Sequence, residues 1–391
     1  MVNAAAPSGA LPRDELFAAI WSDAEARGFA GWDPYDGLNA PLFRATPLYR
    51  VPVARQAWIQ LVKRSPVNLR PLFGQKPAVI SKGLALFALG AWRLAERGGP
   101  EAGLWRRRGA TLLDRLLALR SPGSEELAWG YPFDWQSRAF FQPGNEPNLI
   151  CSVFAAMAFE ERADGGDDLE APAEVARFIA RRLVRERDGV TWVTYTPATD
   201  TQIHNVNILG AAQLARDARR SGSTQQAALA RRAMEFSVGR IREDGFWPYG
   251  EAANQGWVDS YHLGYNLVGL ERYREATGET WMDEALARAY RYWDTRFVEP
   301  DGAPRHFATS RWPLDIHCPA QAILTWLALR RLDPEAPAKA RRMAAWTLAN
   351  MSDGRGRFTF QKTRLYANRV PMMRWGQAWM FRALAELAAR G

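Results

Sequence analysis

One spacing constrains this chain more than any other property. A glycine followed within a few residues by aromatic side chains, a polar connector and an apolar helical run recurs at Gly130, Gly189, Gly245, Gly302 and Gly356. The intervals are 59, 56, 57 and 54 residues, and stepping back 56 from Gly130 reaches Gly74 in a degenerate first copy, "RPLFGQKPAVISKGLALFALGAW". A period of this length marks a repeated supersecondary unit that cannot bury its apolar face alone. Between the copies lie amphipathic segments near 101–120, 172–187, 224–242, 280–297 and 335–351, with 52–64 serving the first unit. In "EVARFIARRLVRER", Val175, Phe178, Ile179 and Leu183 form one stripe and arginines fill much of the rest, the pattern of an outer helix. The runs after the aromatic loops are apolar nearly all round, as helices covered on every side must be.

Six such hairpins closing on themselves predict an all-α fold, an (α/α)6 toroid, with residues 51–391 as the ring. Residues 1–50 are expected to add a helix near 14–27 and a loop packed onto it. A linear solenoid would leave the inner helices on a solvated concave face and demand more polar ones. Short β-hairpin strands are expected in the rim loops, at "VTWVTY" (190–195) and "RFTF" (357–360).

Charge and cysteine usage narrow the partners. There are 51 basic and 42 acidic residues, a net charge of +9. The basic residues sit singly or in short groups, mostly beside acidic neighbours in helices, and read as solvated outer faces; no nucleic-acid partner is predicted. The two cysteines, Cys151 and Cys318, form no disulfide framework. No signal sequence and no run long enough to span a bilayer is evident, so a cytoplasmic protein without membrane insertion is expected. Nothing in the sequence fixes an oligomeric state.

In a closed ring all inner helices run in the same direction, and their N-termini meet at one rim. The stretch "WVDSYHLGYNLVGLERY" (257–273) opens polar and ends apolar, as a helix entering a core from that rim should. Of the four histidines, His204, His262 and His317 fall at inner-helix starts and His306 in the loop of unit five. The predicted catalytic set is therefore His262, His204, Tyr261, Asp259, Glu146 and His317. The predicted substrate-binding set is Asn148, Asn205, Tyr265, Asn266, Trp257, Asp315, Arg374 and Trp375. A purely structural role competes for Asp259, Asn145 and Asp315, which are placed to cap orphan helix N–H groups. Of the aromatics at these loops (Trp129, Tyr131, Trp135, Trp192, Tyr195, Trp247, Tyr249, Trp257, Trp312 and Trp375), most are expected to plug hairpin junctions and a few to face a ligand.

Six helix N-termini at one mouth contribute positive partial charge, to which Arg70, Arg369, Arg374, Lys76 and Lys82 add. An acidic saccharide is the expected ligand, and a neutral one the alternative. No metal or cofactor is predicted: Cys151 and Cys318 fall in units on opposite sides of the ring, which argues against a shared zinc site. No aspartate-rich diphosphate motif lies at an inner rim; "GGDD" (165–168) falls in a connector.

The six-unit pattern resembles the six-hairpin glycosidase-like superfamily, which includes glycoside hydrolases, polysaccharide lyases and N-acylglucosamine 2-epimerase-type isomerases. "GWDPYDGLN", "KRSPVNLRPLFG" and "WVDSYHLGYNL" are similar to stretches of proteins encoded with bacterial exopolysaccharide biosynthesis genes. The resemblance implies a carbohydrate-active enzyme, and three chemistries fit the rim. A lyase or C5-epimerase would use His262 or His204 as base, Tyr261 or Tyr265 as acid, and Asn205 or Asn266 with Arg374 on the carboxylate. A sugar 2-epimerase would pair His204 with His262 or His317. A glycoside hydrolase would need two carboxylates about 5–5.5 or 6.5–9.5 Å apart, drawn from Glu146, Asp259, Asp315, Asp33 and Asp36. A non-catalytic glycan-binding protein is the reading from outside enzymology.

Overall fold

The computed structural model describes residues 14–137, 140–162 and 169–391; residues 1–13 and the "GGDD" connector lie outside the described residues. The inner layer consists of α4 (Ser81–Glu96), α6 (Leu149–Glu160), α8 (His204–Ser221), α10 (Ser260–Thr277), α12 (His317–Ala328) and α14 (Trp379–Arg390). Each packs on its neighbours in turn, and α14 packs back on α4, so the ring closes. Closure depends on a close approach at Gly90. A Cβ there would stand 2.6 Å from the Phe381 ring of α14, inside van der Waals contact. The inner helices are buried as their composition demands: every residue of α4 from Ser81 to Ala95 is buried.

The outer layer holds α5 (Ala102–Ala118), α7 (Glu170–Phe178), α9 (Thr224–Val238), α11 (Asp283–Arg296) and α13 (Ala336–Met351). The sixth outer position belongs to α1 (Asp14–Ala26) rather than to residues 52–64. Trp21 of α1 meets Trp105 of α5, Phe87 of α4 and Phe381 of α14, with ring centres 5.5–6.1 Å apart. Residues 52–64 do form a helix, α3 (Pro52–Arg64), but it lies across the rim. Together with the turn α2 (Pro41–Arg44) it surrounds a small separate core of Leu38, Ala40, Phe43 and Ile59. The chain therefore has no structural break at residue 50: α1 is part of the ring, and the segment after it is the rim cover.

A second departure concerns 172–187. The helix ends at Phe178, passes through a wider turn at Ile179–Leu183, and continues as β5 (Val184–Arg187), paired with β6 (Val190–Val193). Asp188 and Gly189 join these strands with φ of 51° and 76°, a two-residue connection of the Asp-Gly kind that favours hairpins. The remaining strands are two residues long. They are β1 (Ala30–Gly31) with β2 (Ala78–Val79), β3 (Trp135–Gln136) with β4 (Phe141–Gln142), and the trio β7 (Leu314–Asp315), β8 (Gln361–Lys362) and β9 (Ala367–Asn368). The "RFTF" strand thus starts just beyond its expected position.

At the C-terminal ends of the inner helices, ion pairs tie the ring together. Arg93 of α4 reaches Glu161 after α6 and Glu386 of α14 (2.8 Å to the latter), and Arg272 of α10 reaches Glu161 at 2.6 Å. The opposite rim is open.

Candidate active site

A cavity of about 880 Å³ opens at the N-terminal rim. Lys82 of α4, Ile150 of α6, Asn205 of α8, Tyr261 of α10 and Arg374 ahead of α14 all line it, so five of the six inner helices bring residues to one mouth; α12 lies behind the lining among the described residues. Its wall is rich in aromatic rings. Seven of the ten aromatics singled out at the loops line it, including Tyr131, Trp135, Tyr195 and Trp312. The junction plugs are the minority: Trp129, Trp192 and Trp247 are buried outside the lining. Trp129 Nε1 donates to the Leu116 carbonyl at 2.7 Å.

The chemistry gathers at the start of α10. Asp259 is its N-cap: Oδ1 accepts the His262 backbone N–H at 2.8 Å, while Oδ2 accepts from His262 Nδ1, also at 2.8 Å. One oxygen therefore caps the helix while the other holds the His262 imidazole. Burial works to raise the Asp259 pKa, but the charge and hydrogen bond of His262, with the nearby His306 imidazole, outweigh it and hold the carboxyl below the usual range. Because Nδ1 is engaged, Nε2 is the imidazole nitrogen left to the cavity, the arrangement in which a carboxylate fixes both tautomer and orientation. The rings of Tyr249, Tyr261 and Trp257 pack 4.4–5.9 Å from that imidazole, centre to centre. His306 also lines the cavity, with Nε2 3.8 Å from Asp259 Oδ2.

Tyr261 lies between the two imidazoles, 4.4 Å from His262 and 5.3 Å from His306 by ring centres. Burial and the Asp259 charge push its pKa well above that of an ordinary tyrosine, so it retains its proton. Tyr265 lines the cavity too, but its hydroxyl donates to His317 Nε2, whose Nδ1 in turn faces the Trp375 carbonyl at 3.3 Å. Burial and the Lys82 and Arg374 charges drive the His317 pKa well down, so a neutral imidazole supports Tyr265 from beneath the cavity lining.

Two cations complete the inner wall. Arg374 is held by Asp33 through two bonds, Nε–Oδ2 at 2.6 Å and Nη2–Oδ1 at 2.9 Å, both side chains buried. Lys82 forms no ion pair or hydrogen bond with a described residue. Its Nζ stands 4.2, 5.0 and 5.3 Å from the ring centres of Phe154, Trp379 and Tyr265. Burial and the Arg374 charge lower its pKa well below that of an ordinary lysine.

Of the predicted set, the cavity thus receives His262, Tyr261, Asp259, Asn205, Tyr265, Trp257, Arg374 and Trp375. The others are placed elsewhere. His204 points away from the mouth, with Nδ1 2.9 Å from Ser237 Oγ of α9 and Nε2 3.1 Å from Glu251. Asn148 is the N-cap of α6, accepting from Cys151 N–H at 2.9 Å. Asp315 is a buried acceptor for Trp375 Nε1, Gln361 Nε2 and the His317 N–H. Glu146 and Asn266 lie outside the lining as well, Asn266 fully buried. Arg70, counted above as a charge at the mouth, is sequestered by Asp36 at 2.6 Å. The predicted set also omitted lining residues on the rim cover, Tyr35 and Lys63, whose Nζ donates to Tyr35 Oη at 3.1 Å. Tyr35 sits in the stretch read as packing onto the ring, and Lys63 in the segment read as the outer helix of the first unit.

His204 carries a prediction of its own. Burial, its largest influence, lowers its pKa from 6.5 to about 4 despite Glu251. The unfolded chain therefore takes up this proton at a pH where the folded chain does not. Stability should fall by about 3 kcal/mol as pH drops from near 6.5 to near 4. Urea unfolding of His204→Gln across this range should show a correspondingly flatter profile; identical pH slopes would refute the assignment.

No protein-family model matches the chain. No curated protein matches its sequence. Solved structures do match its fold. A cellobiose 2-epimerase from Bacillus thermoamylovorans superposes with a TM-score of 0.59 at 11% identity, covering 79% of this chain and 88% of that one. An unsaturated glucuronyl hydrolase specific for heparin gives 0.57 at 11%, covering 80% and 87%. A GH76 α-mannanase from Bacteroides thetaiotaomicron gives 0.56 at 13%, covering 78% and 86%. At these identities the likeness establishes the architecture, the six-hairpin toroid.

Proposed function

We propose that this chain is a carbohydrate-active enzyme that removes a proton from the carbon beside a carboxylate or carbonyl of an acidic saccharide. One observation carries the reading: the Asp259–His262 pair leaves an oriented imidazole nitrogen facing a cavity walled by aromatic rings. Such rings stack on sugar faces, and the fold is shared with epimerases and hydrolases of sugars. His262 Nε2 would take the proton, with Asp259 stabilising the imidazolium that forms. Tyr261, protonated and adjacent, is the acid. Tyr265, braced by His317, would fix a sugar hydroxyl.

The charge of the wall supports an acidic ligand. Lys63, Arg64, Lys82 and Arg374 line the cavity, whereas Asp259 is its only carboxylate among the described residues. Lys82, with no ion-pair partner among the described residues and its pKa lowered by burial, is the group whose charged form a ligand carboxylate would favour. The same census weakens the reading as a two-carboxylate hydrolase, since Asp33, Asp36, Asp315 and Glu146 stay outside the lining.

The test is incubation with a panel of acidic and neutral bacterial glycans in deuterated water. Proton abstraction predicts deuterium incorporation on epimerisation, or ultraviolet absorbance from an unsaturated uronate on elimination. New reducing ends without either signal would overturn the reading in favour of hydrolysis. Binding without turnover would overturn it in favour of a glycan-binding role.

A further inference from the structure

The basic excess of this chain is not spread evenly. From Gly37 to Ala95 and from Gly354 to Ala385 the sequence holds 16 of the 51 basic residues and none of the 42 acidic ones, so the remainder is net acidic. Some of these cations are buried, as at Arg70, Lys82 and Arg374. Arg50, Arg64, Lys76, Arg364 and Arg369 are exposed, and none forms an ion pair with a described residue.

The same two stretches carry the exposed apolar surface. Nine of the twelve large apolar side chains that are exposed among the described residues fall in them, so the coincidence with the cations needs an explanation. Leu48, Val53, Leu61, Val67, Leu72 and Leu365 are between 54% and 91% exposed. On α3, Val53, Ala57 and Leu61 repeat at i, i+4 and i+8 along one outward stripe, opposite the buried Ile59 and Val62. The hairpin carrying Leu365 is fastened to the end of that helix. Tyr366 Oη donates to the Arg64 carbonyl at 2.6 Å, and Asn368 Nδ2 donates to those of Lys63 and Ser65 at 3.1 and 2.8 Å. Leu72 follows in a turn whose Phe73 packs on Trp58 of α3, ring centres 4.6 Å apart. The patch borders the mouth, since Gln56, Lys63, Arg64, Thr363 and Tyr366 line it.

We infer that this face docks the protein on an anionic lipid bilayer, with the cavity mouth beside the headgroups. The chemistry selects this partner. Aliphatic side chains interspersed with unpaired cations suit insertion at the acyl boundary beneath negative headgroups. A soluble glycan would instead be met by aromatic rings, and those are inside the cavity. An exposed apolar patch of this kind is uncommon on a surface that meets only water. The inference departs from the reading of the basic residues as solvated faces. It involves no membrane-spanning helix: none of the described helices is long and apolar enough to cross a bilayer. It also stands independently of the reaction proposed above.

The test is co-sedimentation of the full chain with vesicles of mixed phosphatidylglycerol and phosphatidylcholine, and with phosphatidylcholine alone. Binding is expected only to the mixed vesicles, and it should weaken as salt screens the headgroup attraction. The double variant Leu61→Asp, Leu365→Asp, at exposed positions outside the cavity lining, should lower partitioning at least about tenfold with far-ultraviolet circular dichroism unchanged. Equal partitioning to both vesicles, or none to either, would overturn the inference. So would undiminished binding of the double variant, which would mark simple charge adsorption. A wild-type dimer that the same variant converts to monomer, without vesicle binding, would instead assign the face to a second copy of the chain.

Discussion

His262→Gln should lower kcat on any substrate found in the glycan panel by about 10²–10⁴-fold, the range for removal of a positioned general base. KM should change far less. The argument is geometric: His262 is the imidazole whose Nδ1 is tied to a buried carboxylate 2.8 Å away and whose other nitrogen is left to the cavity. Asp259→Asn is the informative companion. An asparagine can still cap α10, so the helix start survives, while the negative charge that stabilises the imidazolium is removed. Its kcat should fall with retained ligand affinity, as measured by calorimetry with the same substrate. If both variants turn over within about threefold of the parent, His262 is not the base and the chemistry lies elsewhere on the wall.

The second large effect is on stability. Asp33→Ala should cost about 3–5 kcal/mol in urea unfolding, because it strands the Arg374 guanidinium in a buried site. Asp33 Oδ1 also accepts the Tyr35 N–H at 3.0 Å, and its carbonyl accepts Arg70 Nη2 at 2.6 Å, so the pair fastens the segment after α1 to the strand of chain entering α14. The double variant Asp33→Ala, Arg374→Met removes both charges and should be more stable than the single one. A single-variant loss below about 1 kcal/mol would show that water reaches Arg374 and that the pair behaves as a surface contact.

The ring itself was legible because its signal is long-range: glycines at nearly constant intervals, followed by helices apolar on all faces. The assignment of the outer layer was less so. α1 and α3 are both short amphipathic helices near the N-terminus, and local periodicity does not say which one fills the sixth outer position. The answer lies in Trp21, which packs among Phe87, Trp105 and Phe381, residues far apart in sequence. For the site, the sequence brought out three histidines at helix starts but not their rotation. His262 is the third residue of its helix, whereas His204 is the first. Two residues turn a helix by roughly 200°, enough to direct one imidazole into the cavity and the other toward the outer layer. Of the hairpin at 184–193, the second strand falls within the expected "VTWVTY", whereas the first lies in "EVARFIARRLVRER", whose helical periodicity masks the Asp-Gly turn signal that follows it.

The ion pairs among Arg93, Glu161, Arg272 and Glu386 bear on what this molecule can handle. They knot four of the inner helices together at the end away from the mouth, where none of the described residues lines the cavity. The chamber is a blind well, entered and left by one door. A ligand therefore reaches the inner wall from the rim alone, and the part of it that enters first is the part that meets the floor.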